Sequence, residues 1–575
     1  MSGLLVKGSS MLVCLLIVSL GTATGEGELR SKGDQPEQVH IAVGKTPGSM
    51  SVSWVTLEKK YDATSTVKYG ETQALEHEST GTQHEFEDKG DEKRKYMMHV
   101  ADMEGLRPNT LYYYKVGSHD LGWSDVFQFK NLEGRDSKDV GVAVFGDLGL
   151  ANMQAMHCLR REAQDETVNM LLHAGDLAYD LDDDNGKTGD EWMRKMEPIT
   201  SRVPYMVLHG NHEAGDAFNH FTQRFRNMPS NSGVLRAAEW GSAPNNWFYS
   251  FNVGLVHYIM ISTEIYFFDP GMIERQHKWL EADLKAANTN RTQAPWIIVL
   301  GHRPLYCSGN SNCDDDATLL RDGDRSGPTK DSGMGLEKLF YENGVDLYLC
   351  GHTHNYERMF DISPSWDPLM PWASGYSGKR TEDMAATTYV VVGMGGTESM
   401  TSFNKPLIGR SAVRDNEHYG YAKFRVLNST HLVWQQILCD DRFDKSLQGS
   451  VLDEVTYIQR RHGSFSQRNT VIGQATEVVE DALDGGLWSL LGVAAVVSGL
   501  AGVGVAAWKR RPRGKGYQEF PERSPLTKVG GASINGEGSH GAAGMDSVRQ
   551  TASGAWRWME RFGKGESKEP RTFFV

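Results

Sequence analysis

From Gln38 to about Lys130, apolar and polar positions alternate in short bursts separated by turn residues: Val39, Ile41 and Val43; Met50, Val52 and Trp54; Leu111 and Tyr113; Val126, then Phe127 and Phe129. Alternation sends successive side chains to opposite faces of an extended chain, so these bursts predict half-buried strands. Their spacing predicts a β-sandwich of roughly 95 residues. Nothing in this stretch has catalytic spacing, and it reads as a scaffold or contact module. After Lys138 longer apolar runs alternate with helical stretches such as Gln276 to Ala287, where Trp279, Leu280 and Leu284 share one face; this is α/β patterning. Near Thr388 strands return, with Tyr389 to Val392 and a hairpin whose arms, Ala422 to Leu427 and Leu432 to Leu438, flank Asn428-Ser429-Thr430. Residues 441–484 read as a polar, irregular stalk, and the Gly- and Ser-rich 514–550 as disordered.

Two apolar stretches fall outside this pattern. Lys7, the run Met11 to Leu20 and the small residues Gly21 to Gly25 make the three-part pattern of a secretory signal peptide over 1–25. Gly485 to Trp508 carries no charged side chain, and about 24 residues at 1.5 Å each cover a 30 Å hydrocarbon core. Lys509, Arg510, Arg511, Arg513 and Lys515 follow at once, which predicts a single-pass type I protein with 509–575 in the cytosol and residues of about 25 to 484 lumenal or extracellular.

Once the chain is placed in the secretory pathway, the six cysteines read differently. Cys14 leaves with the signal, Cys307 and Cys313 bracket a small polar loop as a candidate disulfide, and Cys350 ends an apolar run as a buried thiol. The partners of Cys158 and Cys439 stay open. Asn290 and Asn428 head the sequons for N-glycosylation. With 39% hydrophobic residues over 575, most of the chain has enough core material to fold. Against 60 Lys and Arg stand 74 Asp and Glu, a net charge of -14, which repels polyanions and excludes a general nucleic-acid binder.

The candidate chemistry lies in a repeated ending. Five apolar runs, Val140 to Phe145, Val168 to Ala174, Tyr205 to His209, Trp296 to Leu300 and Val345 to Cys350, each stop at a glycine: Gly146, Gly175, Gly210, Gly301 and Gly351. The next residues are Asp147, Asp176, Asn211, His302 and His352. Continuous apolar runs fit strands buried on both faces, and ligand sites in α/β sheets form beyond the carboxyl ends of such strands. Adding Tyr179 and His354 gives seven hard or borderline donors, too many for one catalytic zinc and suited to a pair of ions. Phosphate-monoester hydrolysis needs up to about 10²¹-fold acceleration, about 28 kcal/mol, whereas one general acid or base supplies only about 10² to 10⁴. A pair of metal ions can supply much of the difference.

Gly146-Asp147-Leu148-Gly149, Gly175-Asp176-Leu177-Ala178-Tyr179, Gly210-Asn211-His212-Glu213, Val299-Leu300-Gly301-His302-Arg303-Pro304 and Gly351-His352-Thr353-His354 resemble the five signature blocks of the purple acid phosphatases. The resemblance runs from about residue 36 to 440. It implies a fibronectin-III-like domain over 36–132 and, over 138–440, a metallophosphatase β-sandwich flanked by helices, with C-terminal strands from about 387. It further implies a ferric ion on Asp147, Asp176, Tyr179 and His354, and a divalent ion (Zn, Fe or Mn) on Asp176, Asn211, His302 and His352, with Asp176 bridging. A metal-bound hydroxide would attack phosphorus, and His212 would contact the phosphate or protonate the leaving group. Plant members place adjacent histidines in the loop after His302. Here Tyr306 to Asp316 contains none, as in the animal-type long form.

The expectation is a membrane-anchored acid phosphatase acting on phosphorylated small molecules or proteins, at the cell surface or in endosomes or lysosomes. The alternatives are a phosphodiesterase or nucleotide pyrophosphatase with the same metals, and an adhesion or receptor ectodomain on a degenerate phosphatase fold. Tyr517-Gln518-Glu519-Phe520 has the form of a sorting signal read by clathrin adaptors. His173, His209 and His257, in apolar runs, read as core or supporting residues rather than ligands.

Overall fold

The computed structural model describes residues 35–466 apart from 58–63, 133–139, 232, 234–243, 310–312, 324–332, 365–374, 377–378, 404–409 and 444. The expected signal segment, the apolar stretch 485–508 and the tail with Tyr517 lie outside the described residues. Among the described residues no helix is long and apolar enough to cross a membrane.

The alternating N-terminal stretch forms two facing antiparallel sheets. One contains Glu37–Val43, Met50–Thr56, Lys95–Met103 and Thr82–Glu87; the other is built around Thr66–Gly70 and Leu111–Ser118. Val39, Ile41, Val52, Trp54, Val67, Tyr114 and Val116 point inward between them and are buried, as alternation requires. This domain lies along the helix Asp183–Thr200: Val39 N–H donates to Glu197 at 2.8 Å and Tyr114 Oη–H to the Ser201 carbonyl at 2.8 Å.

The α/β stretch forms a second, larger sandwich. In one sheet Tyr205–Leu208, Met170–Ala174 and Gly141–Phe145 run parallel, and Gly141–Phe145 is continued by the antiparallel strands Gly420–Asn428, His431–Leu438 and Val451–Ile458. In the other, Val256–Met260, Trp296–Leu300, Leu347–Cys350 and Thr387–Val392 run parallel, flanked by Tyr249–Val253 on one edge and by Tyr356–Ile362 and Ser411–Asp415 on the other. Val142, Leu171 and Val207 from the first sheet share one core with Ile298, Leu349 and Val390 from the second. The five glycine-terminated runs are therefore three neighbouring strands of one sheet and two of the other, and the residues after their carboxyl ends converge.

Two expectations need correction or completion. The stalk expected over 441–484 does not begin at 441, because Val451–Ile458 pairs with His431–Leu438 as a full sheet strand. Its sequence hid this by placing Asp453 and Glu454 mid-strand. Asp453 is buried only because Arg358 forks onto it at 2.6 and 3.0 Å and Tyr356 Oη–H donates to it at 2.7 Å. The cysteines left open, Cys158 and Cys439, form a disulfide, tying the helix Met156–Gln164 to the end of a sheet strand; Cys307 pairs with Cys313, and Cys350 is a free, buried thiol.

Candidate metal centre

Each strand-ending glycine has a steric reason. A Cβ on Gly351 would stand 2.3 Å from Asp147 Oδ2, and one on Gly175, whose φ is +83°, would stand 2.6 Å from His302 Nδ1. The chain then turns sharply: Asp147, Asp176, Tyr179 and His352 adopt φ of 61°, 56°, 56° and 67°, the left-handed region that non-glycine residues keep only when their surroundings fix it. Asp147, Asp176 and Asn211 arrive from one sheet, and His302, His352 and His354 from the other.

These side chains converge in two clusters. Ligand atoms of Asp176, His302 and His352 lie within 4.8 Å of one another, as do those of Asp147, Asp176 and His354. Asn211 Oδ1 joins the first cluster, 3.1 Å from His302 Nε2 and 2.9 Å from His352 Nδ1. Tyr179 Oη joins the second, 3.2 Å from Asp147 Oδ1 and 2.9 Å from His354 Nε2. The imidazoles are oriented from behind. His302 Nδ1 meets the Ala174 carbonyl at 2.8 Å and His354 Nδ1 the Ser399 carbonyl at 3.0 Å, so each Nδ1 carries a proton and each Nε2 is turned inward.

The electrostatics fit cations at this place. Burial, then the charge of Asp176, pushes the Asp147 carboxyl well above its usual range. Asp176, which burial alone would raise, is held well below its range by His302 and His212. Burial and the two carboxylates also push the Tyr179 phenol upward, so it ionises only against a strongly Lewis-acidic ion. Against the cost of burial, Asp176 pushes His302 up to about 10. Buried carboxylates that borrow protons and histidine charge in this way form a donor set that divalent or trivalent ions satisfy.

Four features were missed in the sequence reading. His212 Nδ1 lies 2.6 Å from Asp180 Oδ1; although burial opposes its charge, Asp176 and Asp180 push His212 up to about 9. Asp180 follows Tyr179 directly, so its position in the block was the available signal. Glu213 accepts the backbone N–H of Asp176 at 3.0 Å, Leu177 at 2.7 Å and Gly210 at 2.7 Å, fastening two ligand-bearing turns together. Arg303, held by Glu264 at 2.8 Å and by Asp316 at 3.1 Å, brings Nη1 to 3.2 Å from His352 Nε2. The fourth, the Ala174 carbonyl behind His302, is a backbone group without a sequence signature. As for the other histidines, His173 contacts Tyr205 Oη, His257 contacts Asn252 and Asp283, and His209 packs among Phe218, Phe221 and Trp247.

Known protein families match this chain in both of its domains. Residues 141–356 match the calcineurin-like phosphoesterase family, residues 36–131 the purple acid phosphatase N-terminal domain, and residues 386–454 the iron/zinc purple acid phosphatase-like protein C family. Acid phosphatase type 7 of Danio rerio is 38% identical over 447 residues, covering 76% of this chain and 94% of that protein. Acid phosphatase type 7 of Homo sapiens is 37% identical over 463 residues, covering 78% and 96%. Among solved structures, a purple acid phosphatase from yellow lupin (Lupinus luteus) seeds shares the fold with a TM-score of 0.58 at 23% identity, covering 74% of this chain and 75% of that one. With relatives of this identity along three-quarters of its length, the chain belongs to the purple acid phosphatase family, metal-dependent acid phosphatases with a binuclear centre.

Proposed function

We propose that this chain hydrolyses phosphate monoesters on the lumenal or extracellular side of a membrane. In this reading Asp147, Asp176, Tyr179 and His354 would hold a ferric ion, and Asp176, Asn211, His302 and His352 would hold a divalent one. The observation that carries the assignment is that Asp176 belongs to both ligand clusters, so that this one carboxylate would serve both ions. When bound, the ions supply an activated nucleophile from water and neutralise charge on the phosphate.

The protein's own residues do the rest. The Ala174 and Ser399 carbonyls fix two imidazoles in the tautomer that can ligate. Glu213 keeps the Asp176 and Asn211 turns in register. His212, with Nδ1 occupied by Asp180, presents Nε2 to the substrate and gives its proton to the leaving-group oxygen as the P–O bond breaks and the electron pair passes to that oxygen. The signal segment 1–25, the span 485–508, the glycans at Asn290 and Asn428 and adaptor binding at Tyr517 belong to the same reading. Asn428 is exposed in a hairpin turn, and Asn290 is half-buried at the end of the helix Ile273–Thr289.

The full-length protein produced with iron and zinc is expected to hydrolyse p-nitrophenyl phosphate much faster than bis(p-nitrophenyl) phosphate. It is also expected to be pink to purple through phenolate-to-iron charge transfer, with Tyr179→Phe bleaching the colour. An active, iron-free, colourless protein would replace the ferric ion by a second divalent one, and a preference for the diester would replace the monoesterase reading.

A further inference from the structure

The N-terminal β domain reaches the candidate site through one turn. Between the strands Thr82–Glu87 and Lys95–Met103, Asp88 Oδ2 lies 2.8 Å from His220 Nε2, and Lys89 Nζ lies 2.6 Å from Asp216 Oδ1. Glu92 N–H donates to Asn185 Oδ1 at 3.0 Å. Arg94 donates to the Asn185 carbonyl at 2.8 Å and to Asp190 Oδ2 at 2.6 Å. Lys187 closes the set by donating back to Glu92 at 2.6 Å.

All these partners sit in two segments of the catalytic domain, 182–190 and 216–220. The first leaves the site just after Tyr179 and Asp180; the second leaves it after Asn211 and His212. They interlock, since a Cβ on Gly215 would stand 2.3 Å from both carboxylate oxygens of Asp182. Each contains three successive left-handed residues: Asp184, Asn185 and Gly186 at φ 48°, 59° and 76°, and Asp216, Ala217 and Phe218 at 48°, 52° and 66°. Non-glycine residues hold this conformation only where neighbours over-determine it. The turn grips the first run at Asn185 and the second at Asp216 and His220.

We propose that the turn 88–94 is a positioning part of the phosphatase site. By fixing both segments it keeps Asp180 2.6 Å from His212 and so aims the imidazole at the leaving group. Arg94 and Lys89 are positioning residues that act through His212, and the inference rests on the reading of His212 as proton donor. It gives the β domain a part in catalysis rather than a scaffold role alone.

The experiment uses the full-length, metal-loaded protein with two probes, phenyl phosphate, whose leaving group needs a proton, and p-nitrophenyl phosphate, whose leaving group does so far less. Arg94→Ala is expected to lower kcat about tenfold on phenyl phosphate and only about twofold on p-nitrophenyl phosphate, with KM changed less than about twofold. Lys89→Ala, at an exposed side chain, is expected to shift the same ratio about threefold and carries the test if Arg94→Ala does not fold. Lys95→Ala, whose ion pairs to Glu85 and Glu87 stay within the β domain, is expected to leave both rates unchanged. In a His212→Ala background Arg94→Ala is expected to add less than about twofold. Equal losses on both esters, no loss on either, or an undiminished loss without His212 each overturn the proposal. A His212→Ala protein that treats the two esters alike removes the donor role and the proposal with it. A wild-type protein that hydrolyses neither ester is a failure of the phosphatase reading itself.

Discussion

Glu213 touches no ligand atom of the two clusters, yet three backbone N–H groups converge on it from the turns that carry Asp176 and Asn211. Oε2 accepts two of them and Oε1 the third, an arrangement that a carboxyl group completes and an amide does not. In Glu213→Gln the amide NH₂ must face a backbone donor, leaving at least one buried N–H unpaired. Glu213→Gln is therefore expected to lower metal affinity about 10- to 100-fold, the range for residues that orient ligands, with the far-UV circular dichroism unchanged; metal titration checks it. His302→Ala removes a ligand and is expected to cost at least 100-fold in turnover while the strand Trp296–Leu300 stays folded. A folded His302→Ala protein with normal turnover and full metal content would remove His302 from the site. The contrast also explains what the chain could reveal in advance. His302 was legible because it follows a buried strand and its glycine, whereas the role of Glu213 depends on three N–H groups brought together only by the fold.

Whole elements were legible to the degree that their burial was apolar. The strands Gly141–Phe145, Met170–Ala174, Tyr205–Leu208, Trp296–Leu300 and Leu347–Cys350 are buried along their whole length and read as apolar runs interrupted only by His173. Val451–Ile458 did not, because its central Asp453 is buried against Arg358, 95 residues away in sequence, and no local pattern encodes such a partner. The left-handed turn residues escaped for a similar reason: each costs about 1–2 kcal/mol locally and is held by distant contacts such as Arg94 to Asn185. The Cys158–Cys439 pair, separated by 281 residues, binds the helix Met156–Gln164 to the end of the strand His431–Leu438. Beside it Tyr419 Oη–H donates to the Thr397 carbonyl, and Thr397 Oγ1 lies 3.2 Å from His354 Nδ1, so the disulfide supports the shell of the site. Replacing both cysteines by serine is expected to cost about 2–5 kcal/mol of stability. A lowered thermal midpoint with unaltered metal stoichiometry below the transition would check it.

At the scale of the whole molecule, an enzyme meant for acid must tolerate the charging of its own buried bases, and two of these lie in the β domain. His40 sits where that domain meets the helix Asn219–Arg224, with Nδ1 3.0 Å from the Gln38 carbonyl, its ring against the edge of Phe225 and the Arg224 guanidinium nearby. Burial lowers its pKa to about 4, with the Arg224 charge adding slightly in the same direction. His99, stacked on Trp54 and bonded to Ser65 and Thr56, is also lowered to about 4 by burial. The unfolded chain takes up these protons near pH 6.5 and the folded protein only near pH 4, so between those values the unfolded state binds more protons and stability falls as pH falls. At about 1.4 kcal/mol per pH unit, each histidine withdraws roughly 3 kcal/mol across the window, which is largely lost by pH 4. Asp190, held low by Arg224 and Arg94 against its burial, works in the same direction but only below the normal carboxylate range, so it leaves the upper part of the window to the histidines. The thermal midpoint, measured at a fixed heating rate, is expected to drop steeply from pH 6 to pH 4.5. His40→Gln keeps a polar side chain without a titrating base and is expected to flatten that drop, lowering stability at pH 7 but costing less at pH 4.5. A His40→Gln protein whose midpoint falls as steeply as the wild type's would show that the domain junction does not set the acid limit.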